Sequence, residues 1–183
     1  MKVLITGAGG FVGKYLIKEF KDNGDEVVAC DIKKTENIDD DIPYFDMDIL
    51  DKQRIIAVLK ETMPDYIINL AAISSVGLSW KIPEKTMEVN IIGTINILDA
   101  VRSVIPNAKV MLIGSSEEYA ESDKPLKEED IINANNPYGI SKVAAEKIAK
   151  MYKDKYGLNV ICTRSFNHTG PRTAWHFCNA KFL

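Results

Sequence analysis

The sequence predicts an α/β fold of the doubly wound kind, in which a parallel sheet of six strands lies between two layers of helices. Two observations support this. Short β-branched segments alternate with longer segments whose apolar residues recur at helical spacing. Several of the short segments are apolar along their whole length, which is typical of parallel strands buried on both faces. We therefore expect a three-layer α/β/α architecture.

The elements follow one another in order along the chain. Strands are expected at residues 2–6, 26–30, 44–45, 65–70, 109–113 and 158–163. Helices are expected at residues 11–23, 51–62, 83–105 and 137–156, and loops at 71–82 and 121–136. The helix ends carry the usual signals, which are Gly24, Pro64 and Pro106 after helices and Pro83 and Pro137 at first helical positions.

The composition suits one globular domain that handles a small molecule. The 183 residues are 46% hydrophobic and 27% charged, and their net charge of −3 argues against nucleic acid or an anionic membrane as partner. No apolar run reaches membrane-spanning length, and the N-terminus lacks the long apolar region of a signal peptide, so we expect a cytoplasmic protein. Three cysteines without CxxC spacing predict neither a disulfide framework nor a metal site.

A glycine-rich segment, TGAGGFVG at residues 6–13, joins the first strand to the first helix. Gly7 permits a tight turn, Gly10 lets phosphates approach the backbone, and Gly13 lets the helix pack on the strand. The helix start at Phe11 and Val12 supplies N–H groups and a positive dipole. The segment therefore predicts a dinucleotide site of the Rossmann type, with an ordinary strand-to-helix turn as the alternative.

Two carboxylates stand where a dinucleotide would need them. Asp31 ends the second strand, 18 residues after Gly13, and a carboxylate there accepts from the ribose hydroxyls and repels a 2′-phosphate. This favours NAD, although Lys33 and Lys34 leave NADP open unless they are simply solvated charges. Asp48 follows the third strand and can accept from the adenine amine, or it can be a loop or helix-cap carboxylate.

Tyr138 and Lys142 are four residues apart near the start of the last predicted helix, so their side chains project from one face. An ammonium beside a phenol favours the phenolate and lowers a pKa that is normally about 10. The pair therefore predicts a proton donor and acceptor that works near neutral pH. The alternative is a structural tyrosine beside a solvent-exposed lysine.

The sequence resembles the extended short-chain dehydrogenase/reductase family. The resemblance lies in TGAGGFVG, in NIIGT at 90–94, in GSSEEY at 114–119 and in YGISK at 138–142. RSFNHTGP at 164–171 is most similar to the GDP-sugar branch, which contains GDP-4-keto-6-deoxymannose reductase and GDP-mannose 4,6-dehydratase. The motifs keep the family's order and cover residues 1 to about 171.

The resemblance implies roles for particular residues. Tyr138 would exchange a proton with the sugar C4 oxygen while the nicotinamide takes or gives hydride at C4, and Lys142 would hold the nicotinamide ribose. Ser115 would hydrogen-bond the C4 oxygen, or it caps the loop after the fifth strand. Asn167 would contact the substrate diphosphate, or it holds a turn. The further contacts implied are Ile49, Leu70, Ala71 and Ala72 to the cofactor and Ser75 and Ser116 to the substrate.

Glu117 bears on which reaction is catalysed. Dehydratases of this branch place a glutamate two residues before the tyrosine that corresponds to Tyr119, and it removes the C5 proton during elimination. The reductases can carry the same SSEEY sequence, and Glu117 can also be a charged loop residue. We expect reduction of the C4 ketone of GDP-4-keto-6-deoxymannose. The alternatives are GDP-mannose 4,6-dehydratase and an NAD-dependent nucleotide-sugar epimerase.

The end of the chain departs from the family. Residues 1–171 are expected to form the NAD(P)-binding domain, and residues 172–183, RTAWHFCNAKFL, an aberrant or truncated tail. The family's smaller substrate domain would then be missing, and a shifted reading frame that spells the family's continuation is one explanation. A truncated fragment that binds cofactor without turnover is thus a further alternative, and exposed apolar surface would lower its solubility. Helices 83–105 and 137–156 would form a homodimer interface.

Overall fold

Six parallel strands form one sheet in the computed structural model, which describes residues 1–168. Their spatial order is β3-β2-β1-β4-β5-β6. The strands are β1 (Lys2–Thr6), β2 (Glu26–Asp31), β3 (Tyr44–Asp46), β4 (Tyr66–Asn69), β5 (Lys109–Ile113) and β6 (Asn159–Thr163). All six predicted strands are present, and the expectations for residues 172–183 lie outside the described residues.

The central strand β1 lies between two partners that follow it at different distances along the chain. Lys2 pairs with Glu26 of β2, and Val3 pairs with Tyr66 of β4. The strand order therefore reverses between β1 and β4. In open α/β sheets the crevice at such a reversal, outside the carboxyl ends of the strands, is where ligands bind.

The helices agree with the predictions except in the region 71–105. They are α1 (Phe11–Asp22), α2 (Lys52–Thr62), α3 (Val76–Lys81), α4 (Pro83–Met87), α5 (Gly93–Val104) and α6 (Pro137–Tyr156). The prediction of a loop over 71–82 missed α3, a six-residue helix whose N-cap Ser75 accepts from the backbone N–H of Leu78 at 3.2 Å. The single helix predicted over 83–105 is α4 and α5 joined by a π-helical turn, Glu88–Ile92.

Alternate residues of each strand pack on opposite faces of the sheet. On one face, Leu4 and Val28 belong to a core that includes side chains of α2, α5 and α6. On the other face, Val3 and Ile5 pack with Ile17 of α1. Burial on both faces explains why the strand segments are apolar throughout. The predicted three-layer α/β/α architecture is confirmed.

Within the described residues, Cys30 and Cys162 are free thiols. Burial raises the pKa of Cys30 to about 12 and that of Cys162 to about 11, so neither is a reactive thiolate. Residues 1–168 hold no group of side chains arranged to bind a metal ion. None of the helices in that range is long and apolar enough to cross a membrane.

Candidate active site at the carboxyl edge of the sheet

The glycine-rich loop connects β1 to α1 at the strand-order reversal. Gly7 has a φ of +67°, and a Cβ there would lie 2.6 Å from the backbone nitrogen of Ala71, which follows β4. A Cβ on Gly13 would lie 2.1 Å from the carbonyl oxygen of Ala8. The turn and the close packing of helix on loop therefore require glycine at both positions. A Cβ on Gly10 would have one close neighbour, the Gly7 oxygen at 3.2 Å, so this side of the loop is open.

The first turn of α1 faces that open side. Its N-cap is Gly10, and no side chain of residues 1–168 caps the helix, so within that range the N–H groups at the start of α1, including those of Phe11 and Val12, have no side-chain acceptor. Backbone donors, positive dipole and a loop without side chains are what a diphosphate requires. The residues present thus fit a dinucleotide.

Asp31 lies beside this loop, at the end of β2. Its Oδ2 accepts from the backbone N–H of Gly9 at 2.8 Å, and its Oδ1 accepts from that of Ile32 at 2.7 Å. Thr35 Oγ1 and Asn37 Nδ2 donate to the Gly9 carbonyl at 3.0 and 2.9 Å. The structure therefore brings Asp31 to the glycine loop. Thr35 and Asn37 were missed, because nothing in the polar stretch after β2 distinguishes them.

The remaining cofactor candidates lie around the same edge. Asp48 is exposed and its Oδ1 accepts from the backbone N–H of Leu50 at 2.9 Å. Ile49 is buried in the core, where a Cβ on Gly93 would meet its side chain at 2.4 Å. Leu70, Ala71 and Ala72 follow β4, and the Leu70 N–H donates to the Thr6 carbonyl at 3.0 Å. The segment 70–72 is thus adjacent to the glycine loop. Lys34, one of the two lysines that left NADP open, forms an ion pair with Asp40 at 2.8 Å.

Tyr138 and Lys142 lie on the first turns of α6. Asn136 caps the helix by accepting from the Gly139 N–H at 2.9 Å, and Pro137 is the first helical residue. Tyr138 is 8% exposed, and Lys142 Nζ lies 5.7 Å from the centroid of its ring. Lys142 Nζ also donates to the Ile113 carbonyl, at the end of β5, at 2.7 Å. The pair therefore faces the carboxyl edge of the sheet.

The electrostatics of Tyr138 differ from the expectation. Burial raises the pKa of the Tyr138 phenol, and the charges of Glu118 and Glu117 raise it further, while a hydrogen bond between Ser115 and Tyr138 acts in the opposite direction. Burial lowers the pKa of Lys142 to about 8. The prediction that Lys142 lowers the pKa of Tyr138 is therefore wrong, because burial and the two carboxylates raise it.

Ser115 follows β5 and is the N-cap of a 3-10 turn, Ser116–Glu118. Its Oγ accepts from the Glu117 N–H at 3.2 Å, and its hydroxyl is close enough to the Tyr138 phenol to lower the pKa of Tyr138, so capping and proximity to the tyrosine occur together. Ser116 donates its N–H to the Ser165 carbonyl at 2.9 Å. Glu117 Oε2 accepts from Asn136 Nδ2 at 2.8 Å, which places its carboxylate at the start of α6.

The outer substrate candidates are less closely held. Asn167 is exposed after β6, and Ser75 caps α3.

Asn90, in the π-helical turn, exchanges hydrogen bonds with the backbone of Ile73 at 2.8 and 3.0 Å and donates to Ser141 Oγ at 2.8 Å. It therefore ties the loop after β4 to α6 and satisfies buried backbone groups.

Comparison with known proteins places the chain in a family. A model of the GDP-mannose 4,6 dehydratase family matches residues 4–183. The chain belongs to this family. Curated relatives include a UDP-glucose 4-epimerase of Halalkalibacterium halodurans (30% identical over 93% of this chain), a GDP-mannose 4,6-dehydratase of Vibrio cholerae (30%, 98%) and a GDP-6-deoxy-D-mannose reductase of Pseudomonas aeruginosa (30%, 93%). The chain spans 52–53% of the length of these relatives.

Solved structures of epimerases share the fold. UDP-glucose 4-epimerase of Thermus thermophilus in complex with NAD has a TM-score of 0.89 at 29% identity, over 95% of this chain and 58% of that one. The Brucella ovis enzyme in complex with NAD has a TM-score of 0.86 at 30% identity, over 91% and 52%. The resemblance to the extended short-chain dehydrogenase/reductase family and the predicted doubly wound fold are confirmed.

This member of the GDP-mannose 4,6-dehydratase family also carries a charged cluster behind Ser115 that sequence reasoning missed. Glu118 is fully buried, and Arg164 Nε, 4.0 Å from its Oε2, donates to Glu146 Oε2 at 2.8 Å. Arg164 belongs to the RSFNHTGP motif, but no sequence pattern assigns a role to Glu118 or Glu146. The cluster forms through contacts between α6, the 3-10 turn and the residue that follows β6. These elements are distant in sequence, so no local sequence pattern predicts the contacts.

Proposed function

We propose that this chain is the cofactor-binding half of an NAD-dependent nucleotide-sugar oxidoreductase that reduces the C4 ketone of GDP-4-keto-6-deoxymannose. One observation carries the proposal: buried Tyr138 lies with Ser115 and Lys142 at the sheet edge where the glycine loop opens. A tyrosine that meets a serine hydroxyl and an ammonium beside a dinucleotide site is suited to proton transfer at a carbonyl. Residues 1–171 form the cofactor domain in this proposal.

The cofactor proposal rests on the open glycine loop and on Asp31. The loop holds the diphosphate on the N–H groups at the start of α1, Asp48 lies near the adenine, and Ile49 and residues 70–72 line the nucleotide crevice. When bound, NAD supplies the hydride for reduction or accepts it in the reverse direction. The Asp31 carboxylate, fixed at the Gly9 N–H, accepts from the ribose and repels a 2′-phosphate.

NADH is expected to bind the chain at least about tenfold more tightly than NADPH, a difference of about 1.4 kcal/mol. Calorimetric titration of the 183-residue chain with each nucleotide measures this. Replacement of Asp31 by Ala should narrow the difference. Equal affinities of the two nucleotides for the unmodified chain would contradict the role of Asp31 and restore NADP as the cofactor.

Different side chains of this chain donate the proton, hydrogen-bond the reacting oxygen and bind the sugar nucleotide. The Tyr138 hydroxyl donates its proton to the C4 oxygen as the ketone becomes an alcohol, and the Ser115 hydroxyl hydrogen-bonds the same oxygen. Lys142, whose pKa burial lowers to about 8, holds the nicotinamide ribose and faces the tyrosine ring. Ser75, Ser116 and Asn167 hold the sugar and the diphosphate of the substrate.

A dehydratase is the second candidate, because of Glu117. The Glu117 carboxylate accepts a hydrogen bond from Asn136 Nδ2 at 2.8 Å, and its charge raises the pKa of Tyr138. A base at that place can remove the C5 proton of a GDP-mannose intermediate. The family match and the Vibrio cholerae relative support this candidate, and the epimerase relatives keep NAD-dependent epimerisation as a further alternative.

Glu117→Gln separates the candidates. If the protein is a reductase, NADH consumption with GDP-4-keto-6-deoxymannose is expected to stay within about threefold of the unmodified rate, since ketone reduction needs no base at C5. A dehydratase would lose about 10²- to 10⁴-fold in the conversion of GDP-mannose. Chromatography of the nucleotide sugars measures both, and Glu121→Gln, an exposed glutamate of the next loop, is the control.

Three other results of the same assay have fixed meanings. Dehydration of GDP-mannose that depends on Glu117 would replace reductase by dehydratase. Interconversion of C4 epimers would replace it by epimerase. Bound NADH without consumption of any nucleotide sugar would leave an inert cofactor-binding fragment.

We also propose that the protein is a cytoplasmic homodimer that pairs through residues 83–105 and 137–156 and has neither nucleic acid nor membrane as partner. Support for the dimer comes from exposed apolar side chains in these two segments: Ile92 is 46%, Ile140 47% and Met151 54% exposed. Solvent-facing apolar residues on neighbouring helices favour association. The net charge of −3 is what speaks against polyanionic partners.

A further inference from the structure

Glu118 is a buried carboxyl group that the proposed reaction does not use. It lies in the 3-10 turn after β5 and is 0% exposed. Its Oε1 accepts from the Ser115 N–H at 2.7 Å, and its Oε2 is the buried side-chain oxygen within residues 1–168 that has no hydrogen-bond partner. Glutamate is almost never fully buried unless it is paired, so a half-satisfied one needs an explanation.

Within residues 1–168, the groups around Glu118 leave its Oε2 without a hydrogen bond, although the charge of Arg164 lowers the pKa of the carboxyl group. Arg164 approaches Oε2 to 4.0 Å, but its guanidinium donates to Glu146, to the Tyr119 hydroxyl at 3.2 Å and to the Glu128 carbonyl at 2.8 Å. The titratable and charged groups that face Glu118 are Glu146, Lys142 and Tyr138 from α6, Cys162 from β6 and Arg164 after it. Burial and the charge of Glu146 raise the pKa of Glu118 to about 7.

The backbone is shaped around this carboxyl group. A Cβ on Gly114 would lie 2.4 Å from Glu118 Oε1 and 2.1 Å from the Thr163 carbonyl. The glycine therefore leaves the space that the carboxyl group occupies. The Glu118 side chain and the Ser115 side chain form a reciprocal capping box, in which each accepts from the backbone of the turn. Glu118 thus fixes the backbone of Ser115 from inside the protein.

The effect of Glu118 reaches the two groups proposed for chemistry. Its charge raises the pKa of Tyr138 and raises that of Lys142, while the Ser115 hydrogen bond lowers the pKa of Tyr138. Glu118 acts on Tyr138 in two opposed ways, directly through its charge and indirectly through the position of Ser115.

We propose that Glu118 is a positioning residue for Tyr138: its carboxyl group holds Ser115 where the serine hydroxyl meets the phenol, and its buried charge opposes the tyrosinate. The inference rests on the proposed function in one respect, that Tyr138 is the proton-transfer group. Two uncharged replacements separate the effects. Glu118→Gln keeps an oxygen that can accept from the Ser115 N–H, and Glu118→Ala does not.

The test is the titration of Tyr138 in the 183-residue chain. The protein is labelled with 3-fluorotyrosine, whose fluorine lowers the phenol pKa, the Tyr138 signal is assigned with Tyr138→Phe, and the ¹⁹F shift is followed against pH. In Glu118→Gln the acid dissociation constant of Tyr138 is expected to rise roughly three- to tenfold, because a nearby negative charge is gone. In Glu118→Ala it is expected to be roughly three- to tenfold lower than in Glu118→Gln, the effect of one hydrogen bond.

A second background shows whether Ser115 transmits the effect. With Ser115→Ala already present, the Gln and Ala replacements at Glu118 should give the same Tyr138 titration, because the hydroxyl that they position is absent. A merely structural role would lower stability in both backgrounds without this convergence. Glu121→Gln, an exposed glutamate, should leave the Tyr138 titration unchanged. Identical titrations of Glu118→Gln and Glu118→Ala in the unmodified background would overturn the proposal.

A measurement on the unmodified chain covers the case in which a variant does not fold. Burial raises the pKa of Glu118 to about 7, so the ¹³C signal of its carboxyl group should titrate near neutral pH, and the ¹⁹F signal of Tyr138 should shift with the same midpoint; a Tyr138 signal that does not respond when Glu118 titrates would overturn the proposal. These titrations need no turnover. A chain that shows the expected titrations and consumes no nucleotide sugar would refute the proposed function and leave the positioning role intact.

Discussion

Tyr138→Phe is expected to reduce turnover of the nucleotide sugar by about 10²- to 10⁴-fold, the usual contribution of a positioned proton donor. The change deletes one hydroxyl and keeps a ring that is 8% exposed and lies 5.7 Å from Lys142 Nζ. The ring therefore continues to fill its place. NADH affinity is expected to stay within about twofold, since the loss concerns proton transfer and not binding of the ground state.

The measurement combines NADH consumption under saturating sugar with calorimetric NADH binding. Tyr156→Phe is the matched control, because Tyr156 ends the same helix, is 48% exposed and makes ring contacts that phenylalanine keeps. Its turnover should equal that of the unmodified protein. Normal turnover in Tyr138→Phe would remove Tyr138 from the proposed chemistry, whatever the result for the control.

Gly13→Ala is expected to destabilise the fold by about 3 kcal/mol and to abolish measurable NADH binding. The added Cβ would lie 2.1 Å from the Ala8 oxygen and 2.6 Å from the Ala8 carbonyl carbon. Both neighbours are backbone atoms, so no side chain can rotate away. The first turn of α1 must move off the loop, and the N–H groups proposed to hold the diphosphate move with it.

Urea unfolding and NADH titration measure the two effects separately. Gly77→Ala in α3 is the control, because a Cβ there meets nothing within 4 Å, and its stability should change by no more than about 0.5 kcal/mol. Unchanged urea midpoints for Gly13→Ala would show that α1 can shift without cost. Unchanged NADH affinity would show that the diphosphate is not held at this helix start.

The sequence predicts the strands more accurately than it predicts the helices before α5. β1 and β5 have the predicted ends, because a run of buried apolar residues between polar ones marks a strand of a parallel sheet locally. The pattern over 83–105 has the spacing of one helix, and a π-helical turn changes that spacing too little to be seen. α3 has six residues, too few to show periodicity, and depends on the cap at Ser75.

The candidate site divides in the same way. The four-residue spacing of Tyr138 and Lys142 is local, and it correctly places both on one face of α6. The raised pKa of Tyr138 is not local, because it depends on burial and on carboxylates of another element. Glu118 stands in a charged stretch of sequence that indicates a loop, and the charged groups it meets in the interior include Glu146 and Arg164, which follow 28 and 46 positions later.

The register of β1 has a consequence for how the chain acquires its fold during synthesis. Val3 and Ile5 are fully buried in the finished sheet, where β1 pairs with β2 on one side and with β4 on the other. Thr6 pairs with Asn69, so one edge of this apolar strand has no partner until residue 69 has left the ribosome. Such distant pairings slow folding and prolong exposure to misassociation. Among the six described strands, β1 therefore has the longest interval between its own synthesis and the pairing of its second edge, and that edge is where a chaperone would protect the growing chain.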